Sequence, residues 1–94
     1  MVKDRALAGA RDAVLENLDA IRVALDSCVQ EGMIDTDNAY YNQILDLIDE
    51  TTVLKSWDEL EEVIAKAKTL EADVAGWLSY HGRTSVSLPW PKKF

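Results

Sequence analysis

The sequence predicts an all-α fold: an antiparallel three-helix bundle with a long first helix, a shorter second one and an extended C-terminal tail. Three observations point there. Leu60, Val63, Ala67, Leu70, Val74 and Trp77 recur three and four residues apart, which places all six on one side of a helix as a seam that has to be buried. Leu7, Val14, Leu18, Ile21, Leu25 and Cys28 make a second seam of the same rhythm. Breakers are scarce: four Gly and two Pro in 94 residues, with both prolines, Pro89 and Pro91, near the C-terminus.

The first helix is expected over residues 3–31. Its seam alternates with Asp12, Glu16, Asp19, Arg22 and Asp26 on the opposite side. Arg11 interrupts the seam at one turn and Gly9 weakens the first turns. Gly32 suits a C-terminal cap because it tolerates the left-handed backbone. Such a helix would be about 45 Å long. In the connection that follows, Asp35, Thr36 and Asp37 are each suited to cap the second helix, expected over 38–53. Its buried stripe reads as Tyr41, Ile44, Leu45 and Ile48, flanked by Tyr40 and Leu47. Thr51, Thr52 and Val53 are β-branched and weaken its end, at a length of about 25 Å.

Ser56-Trp57-Asp58-Glu59 fits a capping box for the third helix. The Ser56 hydroxyl would accept from the Glu59 N–H, and the Glu59 carboxylate would accept from the Ser56 N–H. Asp58 and Glu59 also oppose the positive end of the helix dipole. This helix is expected to reach Tyr80 and to stop at Gly82. Residues 1–82 therefore read as the bundle and 83–94 as a Pro/Trp-containing basic tail. Trp90 stands between two prolines, which disfavour helix and bias Trp90 toward an extended backbone.

Composition narrows the class. Apolar residues make up 48% of the chain, enough for a core and too many for global disorder. The longest wholly apolar runs are far too short for a membrane span. Met1-Val2-Lys3-Asp4-Arg5 leads straight into the amphipathic pattern without an apolar signal-peptide region, so the expected location is the cytoplasm. Cys28 is the only cysteine, which excludes an internal disulfide, and its seam position reads as a small buried hydrophobe. All 17 acidic residues lie in the first 80, against 7 Lys/Arg there, while Arg83, Lys92 and Lys93 make the tail basic. An acidic body argues against nucleic acid and membrane surfaces as partners, and the tail suits an acidic surface, including that of its own bundle.

The chemical motifs are thin. Asp35-Thr36-Asp37 opens like a calcium-binding EF-hand loop, but Tyr40 stands where the loop requires Gly and Ala39 occupies a ligand position. His81 is the lone histidine and falls one seam step after Trp77, where it complements the negative end of the helix dipole. Asp46, Asp49 and Glu50 on helix two, with Asp58, Glu59, Glu61 and Glu62 on helix three, loosely resemble the acidic motifs of all-helical nucleotide pyrophosphohydrolases. That resemblance implies a magnesium-dependent hydrolase in which Asp46, Asp49, Glu59 and Glu62 converge. The family's motif is denser on one helix and its chain longer.

The expectation is accordingly a small acidic helical protein that is not an enzyme and needs no cofactor or metal. It would self-associate, with a dimer favoured, and bind another protein as adaptor, inhibitor or assembly factor. Helix one outruns helix two by several turns, so its surplus seam needs a cover, either a second copy or the tail laid along the bundle through Val86, Leu88, Trp90 and Phe94. Trp90, Leu88, Phe94, Tyr40 and Tyr41 are the expected partner-binding residues. The alternatives are the magnesium-dependent nucleotide hydrolase and an acidic mimic of nucleic acid that occupies a basic protein groove.

Overall fold

The seam of the first helix is the surface on which the other two helices assemble. The computed structural model describes residues 2–83, 88 and 90, with the side chains of 2–4 outside the description. It contains α1 (Val2–Gln30), α2 (Ala39–Val53) and α3 (Trp57–Tyr80), each packed on both of the others. Val14, Leu18, Ile21, Leu25 and Cys28 of α1 are wholly buried. They meet Ile44 and Leu47 of α2, Leu54 in the following connection, and Leu60, Val63, Ala67, Leu70, Val74 and Leu78 of α3 in one continuous core. No strand occurs among the described residues.

Two seams differ from expectation at single positions. Leu45 is 37% exposed, while Leu47 is buried and Thr51 completes the α2 stripe with no exposure. Ile44, Leu47 and Thr51 follow one another at three and four residues, so the helix is turned slightly from the face that Leu45 would define. Thr51 is admitted because its hydroxyl donates to the Leu47 carbonyl at 2.7 Å, which removes the cost of an unpaired buried oxygen. At the end of α3 the last core residue is Leu78, whereas Trp77 is only half-buried.

The helix ends are specified locally. α1 and α3 finish in the same device. Gly32 and Gly82 take φ of +76° and +73°, a region open to glycine at little cost. Around them Met33 N–H donates to the Cys28 carbonyl and Gly32 N–H to that of Val29, both at 3.0 Å. Arg83 N–H likewise donates to the Leu78 carbonyl at 2.8 Å and Gly82 N–H to that of Ser79 at 3.0 Å. This pair of bonds is the Schellman motif, which satisfies carbonyls a helix end leaves open. At the start of α2 the cap is Asn38, not Asp35, Thr36 or Asp37. Its Oδ1 accepts from the N–H groups of Tyr40 (2.9 Å) and Tyr41 (3.3 Å). Asp35 is used one step earlier, accepting from Asp37 N–H at 2.9 Å and shaping the turn that delivers Asn38. Ser56 caps α3 as expected, through Glu59 N–H at 3.2 Å. The Glu59 carboxylate, however, reaches Lys55 N–H at 3.0 Å rather than that of Ser56.

The long axis measures 46 Å, close to the rise of a 29-residue helix. Glu31 and Arg83 form an ion pair, so the C-terminal ends of α1 and α3 lie together and the two helices run parallel. The 24 residues of α3 then flank α1 for about 36 Å. The length mismatch therefore falls on α2 alone, and Leu7 and Ala10, near the start of α1, are half-buried against the core. Leu88 and Trp90 are non-helical and also pack on it. Val86 and Phe94 lie outside the described residues.

Leu18→Ala should cost about 2–5 kcal/mol, a large share of the about 5–14 kcal/mol expected for a chain of this size, and lower Tm by about 10 °C or more in thermal denaturation. Gly82→Ala has open space around the new methyl group, so its cost is the backbone conformation alone. Urea titration should find it about 1 kcal/mol less stable.

Candidate protein-binding surfaces

Topology gathers Tyr40, Tyr41, Trp77 and Tyr80 at one end of the bundle. The C-termini of α1 and α3 meet there through Glu31 and Arg83, and α2 starts there after a short connection. Tyr40 and Tyr41 occupy the first turn of α2, both half-buried. Trp77, Tyr80 and His81 close α3. The His81 ring lies 4.5 Å from that of Trp77 at a tilt of 50° and 5.2 Å from that of Tyr80, edge to face. These geometries satisfy the electrostatics of aromatic rings and hold the three side chains as a unit. Tyr80 is 86% exposed, the most open large apolar side chain among the described residues, and Met33 is exposed at the same end. His81 sits at the C-cap position, as its place in the sequence suggested.

Tyr41 is tied to α1. Its hydroxyl donates to the Asp26 carboxylate, which raises the phenol above the ordinary tyrosine range, with desolvation and the negative charge of Asp26 acting in the same direction and Arg22 opposing them. Asp26 also accepts from Arg22 Nη1 at 2.5 Å, and Arg22 Nη2 donates to Asp19 at 2.6 Å. Those carboxylates, Asp19 foremost, keep the guanidinium more firmly protonated than usual. Tyr41 is thus part of the α1–α2 junction, while Tyr40 packs on the core with part of its surface open.

Leu88 and Trp90 are placed on the bundle itself. Leu88 N–H donates to Glu71 Oε2 at 3.1 Å and Trp90 Nε1–H donates to the same oxygen at 3.2 Å. Both side chains are half-buried against the core. Glu71 stands one residue beyond Leu70, on the flank of the α3 seam, and its role was not evident from the sequence. An acid in that position reads as solvated, and only the arrival of two N–H donors gives it a structural partner. Of the basic residues in 83–94, Arg83 pairs with Glu31 of α1, while Lys92 and Lys93 lie outside the described residues. Phe94 lies outside the described residues.

The acidic residues do not meet at one centre. Asp46, Glu50, Lys66, Thr69 and Asp73 border an α2–α3 groove of about 430 Å³ floored by Leu47 and Leu70, and Lys66 pairs with Glu50 at 3.4 Å. Glu59 and Glu62 line a second hollow of about 190 Å³ that adjoins the first at Glu50 and Lys66, and Asp49 borders neither. Among the described residues no three His, Cys, Asp or Glu side chains come close enough to hold a metal ion. Cys28 is fully buried. Among the described residues no helix is long and apolar enough to cross a membrane. No protein-family model, curated protein or solved structure matches this chain.

Linkage gives Tyr41 a testable pH signature. Its folded-state pKa lies above the unfolded value, so its contribution to stability is complete below the unfolded value near 10 and fades as pH rises through the folded one. Ultraviolet titration should resolve one phenol ionising later than a free tyrosine, and Tyr41→Phe should remove that component.

Proposed function

We propose that this chain is a non-catalytic protein-binding module that docks through the aromatic end of its bundle onto a basic, apolar-pocketed surface of another protein, and that it self-associates. The observation that carries the reading is Tyr80, almost wholly exposed with its ring edge-on to His81, whose own ring lies against Trp77. An exposed aromatic ring with its neighbours already in place loses little conformational freedom on docking and offers a large apolar area with a polar tip. Tyrosine, tryptophan and arginine are the side chains that most often dominate binding energy, and Tyr80, Trp77 and Arg83 cluster here with Tyr40 on the same end. The charge gives the sign of the partner. A formal −7 overall, with every acid in the bundle region, favours encounter with a basic surface and disfavours acidic ones.

Two features support a binding role over hydrolysis. Of the carboxylates that the hydrolase reading needs together, Asp46 lines one hollow, Glu59 and Glu62 line another and Asp49 lines neither, and Glu59 already accepts from Lys55 N–H. The adaptor, inhibitor and assembly-factor roles all use the same kind of surface.

Tyr80→Ala combined with His81→Ala removes solvent-exposed groups and should leave helicity unchanged by circular dichroism. In capture from a native-host extract, the wild type should retain a partner that the double variant loses by tenfold or more, with retention falling steeply as salt is raised. Equal retention by both proteins sinks the aromatic-end reading. A Mg²⁺-dependent thermal shift together with nucleotide hydrolysis would replace it with the enzymatic one.

A further inference from the structure

We infer that Glu71 and the apolar surface beside it form a receptor for a Leu-x-Trp segment, filled in an isolated subunit by its own Leu88 and Trp90 and in a dimer by those of a second copy. The inference deepens the self-association part of the reading above and rests on it. Its basis is the economy of the contact. A single oxygen, Glu71 Oε2, accepts from both the Leu88 backbone N–H and the Trp90 indole N–H. Two donors of different kinds converging on one carboxylate fix the register of Leu88 and Trp90 on α3, and their half-buried side chains supply the apolar area. Nothing in that chemistry depends on which subunit the segment comes from. Any copy carries the same receptor and the same segment, which is the condition for exchange of an identical element between subunits.

The connection sets the conditions under which exchange occurs. The helix ends at Gly82, with φ of +73°, and Arg83 is already clear of α3. Four residues lie between Arg83 and Leu88, and the five steps of chain reach at most about 17 Å. Such a link gives the subunit's own tail a high effective concentration, on the order of millimolar. Closed monomers therefore prevail in dilute solution, and exchange needs either crowding or loss of the self-contact.

A complementation experiment with the full chain isolates the effect. Glu71→Ala has a segment without a receptor, and Trp90→Ala has a receptor without its anchor. Each alone should sediment as a monomer in dilute solution, with helicity unchanged. An equimolar mixture should form a 1:1 heterodimer with at least tenfold tighter association than either variant alone. The double variant E71A/W90A should form none with W90A. In the wild type, the Trp90 indole N–H resonance, assigned through Trp90→Phe, should move when Glu71 is replaced by Ala. A mixture that stays monomeric overturns the exchange between copies while leaving the aromatic-end reading intact. An indole resonance indifferent to Glu71 overturns the receptor itself.

Discussion

Burial of one stripe on α1 governs this structure. Val14, Leu18, Ile21, Leu25 and Cys28 have no exposed surface, and α2 and α3 are both packed against that helix. Neither shorter helix would be stable in water at its own length, because nucleating a helix is costly and propensity alone is weak. α2 has only 15 residues and ends in two threonines and a valine, so its persistence depends on placing Ile44, Leu47 and Thr51 in contact with the core. The polar details follow from the same constraint. Once α1 and α2 are pressed together, Tyr41 comes within reach of Asp26, and once α1 and α3 run parallel, Arg83 comes within reach of Glu31.

The fold was largely legible in the sequence because its information is periodic. Spacing of three and four residues locates a helical face wherever the run is long, as in α1 and α3, where a single error cannot shift the average. In α2 the run is short and nearly every position from Tyr40 to Ile48 is apolar or flanked by apolar neighbours, so Leu45 and Leu47 fit the pattern equally well. Contact with α1 and α3 decides between them. The caps divide in a similar way. Gly32, Gly82 and Ser56 act through their own backbone or hydroxyl and were readable at their positions. Asn38 displaced three other candidates because an Asx turn at Asp35 advances the chain by three residues, and Glu59 chose Lys55 over Ser56 by one peptide unit. Such outcomes depend on geometry finer than residue type.

The candidate surfaces were harder to read. Tyr40, Tyr41 and Trp90 stood out by residue type, but Tyr41 is engaged with Asp26 and Trp90 with Glu71. Tyr80 and His81 drew less notice because a helix end ordinarily needs no explanation beyond its cap. Their significance comes from tertiary arrangement, since only the parallel course of α1 and α3 brings them to the end where α2 starts. Glu71 is the extreme case, an acid whose partners lie 17 and 19 residues away and donate through a main-chain and an indole nitrogen.

The parallel orientation of α1 and α3 has an architectural result. α1 starts at the far pole from the rings, and Leu88 and Trp90 lie beside Glu71, well back along α3 from Tyr80. Cargo attached at the start of α1, or a tether fixing that pole to a bead or a larger assembly, would leave the aromatic pole facing outward.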